Sequence, residues 1–508
     1  MKKNTRLLMA VIFIVVLLGV ALTIVLLLPA DTQRITTNDN NEILLFDKSG
    51  LLAESITVDN QGGSYELLAY EYEKPVEKTS VNSMENVIAV PDSTVDDSSA
   101  STVELLYTMQ EYPTRTLDQN MTNDLAAQCQ QMTARELIDR SGQKYADYGL
   151  AQPRSTVTVR YSDAAELTFY IGKDAPDNKG AYVRIEGDRN VYLVHSSQVE
   201  AFFLDKLQLF DKNLTGSMED VKSLRISGSH YPEEIFLTVN QAAYYPVSFL
   251  METPLRIGCD SIKTALVTNS ACLVQAIWVT AIDITEKDLQ QYGLSQPFEQ
   301  LDMEGEDGNS IHLLASEKDS DGKIYLMKAG DDTIYQTYAA EHQWYGIEAT
   351  DFLPDAVFKV QTEEIQSLQL TADSKTTDYR LSKEKSVNDN YYEAATLTLT
   401  ADGEEIAYSG YSIFVANLCE MKRLAGEPDV NEKGLELLRA VFTYFDDPEV
   451  TDTLCLYRLP SGKTIAVLND QLRCYVDSTY VYKLLQQVPQ ITGGTLPEDL
   501  TGSSDSSD

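Results

Sequence analysis

Basic side chains are scarce in this sequence: 40 lysines and arginines stand against 78 aspartates and glutamates, a formal charge of −38. A polyanion of that size repels phosphate backbones, which excludes nucleic-acid binding. Histidine is scarcer still, with four scattered copies, His195, His230, His312 and His342. The six cysteines include no C-x-x-C pair, which removes zinc-ribbon and thioredoxin-type chemistry. G-x-S-x-G, H-E-x-x-H and G-x-G-x-x-G are likewise missing. What is plentiful is core-forming material: 43% of the residues are hydrophobic and 29 are tyrosine. The 508 residues suggest about three domains at roughly 150 residues each.

The one long apolar run is "LLMAVIFIVVLLGVALTIVLLL", Leu7 to Leu28, preceded by Lys2, Lys3 and Arg6. It has about the ~20 residues that a helix needs to span the hydrocarbon layer. The competing reading is a cleaved secretory signal. That needs a shorter apolar region of roughly 7–15 residues and a small-x-small exit, which "LPADTQ" does not supply. No cysteine follows the run, which disfavours a lipid-anchored form. Residues 1–6 then form a cytoplasmic stub by the positive-inside rule, and everything after Pro29 lies outside. The expectation is a single-pass cell-membrane protein, in contact with the membrane through residues 7–28, with an extracytoplasmic bulk joined by a linker, 29–43.

Beyond the linker the chain repeats itself. "SITV" (Ser55–Val58), "SLRI" (Ser223–Ile226) and "SLQL" (Ser367–Leu370) alternate polar and apolar as half-buried strands do. Amphipathic helices are expected next, with Leu125, Cys129, Met132 and Leu137 on one face in the first copy. Ile262, Leu266, Cys272 and Ala276 play that part in the second copy, and Phe414, Leu418, Met421 and Ala425, stopped by Gly426, in the third. Strand-and-turn meanders follow, such as "STVTVRY", "ELTFYIG", "AYVRIEG" and "NVYLVHS". The units are read as 44–213, with a polar insertion at 90–102, then 214–360 and a degenerate 361–490, ahead of a disordered acidic tail, 491–508. The fold class expected is α+β: an N-terminal transmembrane helix, then tandem units of antiparallel β-meander packed with amphipathic helices.

"YGLAQP" and "YGLSQP" mark the same place in two units. Gly149 and Gly293 permit a positive-φ exit from a helical turn, and Leu150 and Leu294 plug the core beside it. Pro153 and Pro297 force an extended entry into the next strand. Tyr148 and Tyr292 are the only titratable groups the two copies share, so the motif is read as a structural helix-to-sheet joint. In the third unit "YFDDP" (Tyr444–Pro448) is taken to stand at this point.

The stretch from Tyr148 to Phe203 resembles the bacterial family called domain of unknown function 4340. The residues that carry the resemblance are Tyr148-Gly149-Leu150 with Pro153, Ile171-Gly172 with Pro176, Tyr182-Val183-Arg184, and Val191-Tyr192-Leu193-Val194. The similarity is good over 44–213, weaker over 214–360, where the I-G-x-x-x-P step is missing, and marginal over 361–490. The resemblance implies a single-span envelope protein, with an ABC-type permease or other envelope protein as partner. It implies no catalytic residues.

The chemical candidates all have plainer readings. His195 sits beside two serines, but its counterparts are Tyr338 and Asp477, and Ser197-x-x-Glu200 reads as a capping box. Cys129, Cys272 and Cys419 recur once per helix as small buried hydrophobes. Cys455 and Cys474 can bond if their strands are adjacent, and Cys259 has no obvious partner. "EKDSDGK" (Glu317–Lys323) lacks calcium-loop spacing, and "PSGKT" (Pro460–Thr464) lacks the first glycine of a phosphate loop. No catalytic residue, cofactor or metal site is therefore assigned. The function expected is that of a non-enzymatic interaction module, an accessory of an ABC-type transport system. The alternative is a ligand-binding or cell-wall-modifying protein with a cleft between units, its sign a deep pocket at the joint between the first and second units lined by tyrosines and carboxylates.

Overall fold

The computed structural model describes residues 42–73, 103–387, 393–429, 432, 434–493 and 495–501. The apolar run 7–28 and the insertion 90–102 lie outside them. Among the described residues no helix is long and apolar enough to cross a membrane.

Three antiparallel sheets follow one another. The first holds β1 (Ile43–Asp47), β2 (Ala53–Asn60), β3 (Gly63–Glu73), β4 (Val103–Met109), β5 (Gln131–Asp139), β6 (Ser155–Tyr161), β7 (Glu166–Asp174), β8 (Ala181–Ile185) and β9 (Val191–Val194), in the order β1-β5-β9-β8-β7-β6-β2-β3-β4. The second holds β10 (Val221–Ser227), β11 (Ile235–Val239), β12 (Phe249–Thr253), β13 (Ile257–Gly258), β14 (Trp278–Ile282), β15 (Glu299–Gly305), β16 (Ser310–Ala315), β17 (Lys323–Lys328) and β18 (Thr333–Tyr338), ordered β13-β12-β11-β10-β15-β16-β17-β18-β14. The third holds β19 (Ile365–Ala372), β20 (Lys375–Val387), β21 (Glu393–Ala401), β22 (Glu404–Ile406), β23 (Leu435–Tyr444), β24 (Thr451–Arg458), β25 (Thr464–Leu468) and β26 (Leu472–Val476), ordered β22-β21-β20-β19-β23-β24-β25-β26. The chain divides into two compact units, 1–211 with the first sheet and 212–508 with the other two.

One plan underlies all three. A strand trio leads to a helix, and a four-stranded meander returns beside the first strand of the trio. The helices are α1 (Gln119–Gln128), α2 (Ser261–Cys272) and, after the short α3 (Glu286–Gln291), α4 (Tyr408–Cys419). Ser55, Ser223 and Ser367 fall in the same register, each the first paired residue past a bulge, opposite Arg160, Glu304 and Thr443. The alternation that marked these strands thus fixes their pairing as well.

The helical faces differ from expectation. Met132 and Leu137 lie on β5, not on α1, which stops at Gln128. Met421, Ala425 and Gly426 lie beyond α4, and Ala276 beyond α2. Ile262 and Leu266, expected on the core face, are 75% and 55% exposed, whereas Thr264, Val267, Thr268, Ala271 and Cys272 are buried. The threonines can face inward because their hydroxyls are satisfied within the helix. Thr264 Oγ1 donates to Asp260 O at 2.8 Å and Thr268 Oγ1 to Thr264 O at 3.1 Å. Thr122 does the same to Asp118 O at 3.2 Å in α1.

Two further readings are corrected. Tyr444–Pro448 does not replace the joint: Tyr444 ends β23, and the following residues form the turn to β24. Phe445, not a glycine, follows Tyr444 there, and no residue from 444 to 448 has a positive φ. Residues 491–493 and 495–501, expected in the acidic tail, are seated on the third unit after α5 (Ser478–Gln487), the first three of them in α6 (Gln490–Gly493). Ile491 and Leu500 are buried there, and Asn417 bonds Gln487, the carbonyl of Glu498 and the amide of Leu500.

Candidate functional site

The two joints have matching geometry. A short helical turn, Tyr145–Tyr148 in one and α3 in the other, ends in a glycine at φ 71°, Gly149 or Gly293. Leu150 N–H donates to Tyr145 O and Leu294 N–H to Leu289 O, both at 2.8 Å, and Gly149 and Gly293 reach Ala146 O and Gln290 O at 3.3 Å. Those bonds make a Schellman cap. Leu150 and Leu294 are 4% and 2% exposed. Each joint tyrosine lies edge-to-face on a meander tyrosine, Tyr148 on Tyr182 at 4.9 Å and Tyr292 on Tyr325 at 4.7 Å. Pro153 and Pro297 stand two residues before β6 and β15. The Ile171-Gly172 step is the joint's counterpart: a Cβ on Gly172 would overlap the Tyr148 carbonyl oxygen. In the second sheet Ser316 takes that place, and a Cβ on Gly293 would meet Ser316 Cβ at an ordinary 3.5 Å. These eight residues are gathered into packing joints, not into a reactive pocket.

Two buried acids escaped the sequence reading. Glu299, the first residue of β15, is fully buried. Its Oε2 accepts from Gly346 N–H at 2.6 Å and Tyr231 O–H at 3.0 Å, while Oε1 meets no partner among the described residues. Burial pushes its carboxyl up to about 8, against the opposing pull of those two donors. Asp452 on β24 is 2% exposed and takes three donors. Tyr245 O–H reaches Oδ2 at 2.6 Å, Tyr444 O–H donates to the same oxygen, and Asn469 Nδ2 reaches Oδ1 at 2.7 Å. Burial first, then Asp452, raises both tyrosine hydroxyls. The signal was available: each acid occupies the inward phase of an alternating strand, in step with Leu301 and Met303 or with Leu454 and Leu456.

A groove of about 880 Å³ lies between the second sheet and the β23–β24 turn. Tyr244, stacked on Tyr444 at 3.9 Å, lines it together with Arg256, Glu252, Glu304, Asp446 and Asp447. "YFDDP" therefore contributes groove residues.

His195 is a helix cap: its Nδ1 accepts from Ser197 N–H at 3.2 Å and lies 2.8 Å from Ser197 Oγ. The cap is thus His195 rather than Ser197, and Tyr338 and Asp477 hold the same position in the other sheets. All six cysteines are free and buried. Cys455 and Cys474 are separated by β25, opposite Val467 and Ala466, whose side chains alternate between faces. Cys129, Cys272 and Cys419 close the three helices. Among the described residues no cluster of three or more His, Cys, Asp or Glu is arranged to hold a metal.

Of the large apolar residues exposed in 212–508, five lie on α2 or just after it, while Leu424, Leu435, Tyr482 and Leu496 lie elsewhere. Ile262 and Leu273 are each 75% exposed, Leu266 is 55%, and Ile277 and Trp278 are 38%. Residues 262 and 266 share one face of α2, opposite the buried one, and Leu273 is the residue that caps its C-terminal end.

The sequence model of a domain of unknown function (DUF4340) matches residues 108–240 and 273–414, more than half of the chain. The chain belongs to the DUF4340 family. Each match contains one Tyr-Gly-Leu joint with its meander and runs on into the first strands of the next sheet. No curated protein and no solved structure matches the chain.

Proposed function

We propose that this DUF4340 chain is a single-span, membrane-anchored extracytoplasmic interaction module, a non-enzymatic accessory of an ABC-type transport system. The observation that carries the reading is the exposed apolar pair Ile262 and Leu266 on α2, with Leu273 at its end and Trp278 beyond it. Exposed apolar residues of this size, grouped on one face, mark interaction surfaces. The occupant we assign is the outer face of a permease, since the run 7–28 tethers the module beside membrane proteins. Lys263 is the one charged residue of α2, and a second copy of a −38 chain is disfavoured by repulsion.

The test is co-purification from detergent extracts with tagged full-length chain and an Ile262→Asp/Leu266→Asp variant. The wild type recovers a permease with its ATPase, and the variant loses both while keeping its circular dichroism. Retention by the variant, or recovery of unrelated proteins alone, sinks the reading. The groove with Tyr244 and carboxylates, which lies between the second and third sheets and not at the joint of the first and second units, supports a second reading, an extracytoplasmic ligand-binding or cell-wall-modifying role. There Glu304→Gln/Asp447→Asn, not the α2 variant, abolishes calorimetric binding of cell-wall fragments.

A further inference from the structure

Glu299 sits where three elements meet. Its own strand begins immediately after the second joint. Tyr231, in the β10–β11 turn, donates to it, and Gly346 donates from the segment that leads from β18 toward the third sheet. The same segment is fastened at two more points: Tyr345 stacks on Phe298 at 5.3 Å, and Glu348 lies 3.1 Å from His230, whose ring stacks on Phe298 at 4.4 Å. Tyr345 O–H donates to Ser316 O at 3.1 Å. Past the fastening the chain is anchored again, with Phe352 O accepting from Asp260 N–H at the start of α2.

The internal repeats show what is added here. The position two residues after the joint proline is Ser155 in the first sheet, also buried, and the stack beside it is Arg154 on Phe203 at 4.4 Å. In the third sheet the matching position, opposite the last residue of β19, is Leu438. The stacking device is therefore common to two units, and the ionisable group is particular to one. The strand fold does not require a carboxyl at this point.

The carboxyl's two oxygens are unequal. Oε2 takes both donors, so the proton of the neutral carboxyl sits on Oε1, which faces no partner among the described residues. When that proton leaves to solvent, a bare buried oxygen carries charge, and only water can satisfy it. Water enters if the covering residues Tyr345–Glu348 lift. The groups facing the site are His230 and Tyr231 from the β10–β11 turn, Tyr345 and Glu348 from the covering segment, and Glu317 beside Tyr345. Glu317 and Glu348 add repulsion to an ionised Glu299, and protonated His230 opposes it.

We propose that Glu299 is a protonation latch: its neutral carboxyl holds the connector 343–353 against β15, and its ionised form releases that connector. Trp344 reports the event directly, being fully buried within the connector and one of only two tryptophans. In full-length protein in detergent carrying Trp278→Phe, emission of Trp344 should red-shift and acrylamide quenching should rise in a transition centred near pH 8. Glu299→Gln removes that transition. His342→Gln retains it, although His342 lies 5.5 Å from the indole. Should Glu299→Gln fail to fold, Tyr231→Phe serves instead: loss of a donor that favours the ionised form moves the midpoint to higher pH. A flat wild-type signal from about pH 6.5 to about pH 9.5, or a transition left unmoved by both the Glu299 and Tyr231 substitutions, overturns the latch.

Discussion

Single glycines carry the joints, and the two copies are not equally demanding. Gly149 and Gly293 share the same φ, so alanine at either meets the left-handed penalty of roughly 1–2 kcal/mol. At Gly149 the added Cβ would also stand 2.7 Å from Lys173 N, whereas at Gly293 the nearest atom is Ser316 Cβ at 3.5 Å. Gly149→Ala is therefore expected to destabilise by ~2 kcal/mol more than Gly293→Ala, since backbone yields little to overpacking. Gly172→Ala should cost about as much as Gly149→Ala despite an ordinary φ at Gly172, because its clash is with the Tyr148 carbonyl. Urea denaturation of the three variants checks the ranking; equal midpoints for Gly149→Ala and Gly293→Ala would falsify the close-approach argument. These glycines were legible because a positive-φ corner leaves few residue choices. Glu299 and Asp452 were not, because seventy-eight acids hide two that sit in the inward phase of a strand.

At the scale of elements, strands were easier to read than helices, for a physical reason. A strand's period of two survives substitution, as the aligned Ser55, Ser223 and Ser367 show. A helix core face can instead be built from threonines whose hydroxyls bond the preceding turn, leaving Ile262 and Leu266 free to face outward. The shared clue is an N-capping aspartate four residues before a buried threonine, Asp118 with Thr122 and Asp260 with Thr264. Between sheets, the interlock of Tyr245 and Tyr444 on Asp452 makes a sharper case. Asp452→Asn keeps the shape but removes the charge that two hydroxyls donate to. Hydrogen bonds to charged groups contribute about 1.5–3 kcal/mol each. Asp452→Ala should destabilise residues 212–501 by more than 3 kcal/mol, and Tyr245→Phe by ~2 kcal/mol. The double variant should fall well short of additivity, because both changes break one network. An additive result in thermal unfolding would mean that the two groups act independently.

For the whole molecule, pH dependence separates two buried groups of opposite sign. Glu299 has its carboxyl raised from 4.5 to about 8, so the folded chain holds a proton that the unfolded chain has already released. Its contribution is complete below pH 4.5, fades as pH rises, and is gone above about pH 8, a span of roughly 5 kcal/mol at most. His342 works the other way. Burial lowers its imidazole below the usual 6.5, and its Nε2 has no partner among the described residues. The unfolded chain binds that proton first, so the folded state loses stability as pH falls through 6.5 and below. Below pH 6.5 the two terms oppose each other, and above it the Glu299 decline stands alone. Glu299→Gln removes the alkaline decline and leaves the His342 slope standing alone below pH 6.5, whereas His342→Gln leaves a decline that runs from about pH 4.5 to about pH 8. Measuring urea unfolding free energy from about pH 5 to about pH 9 decides it. If Glu299→Gln leaves the alkaline slope intact, the buried carboxyl is already ionised in the folded protein, and burial does not dominate its proton affinity.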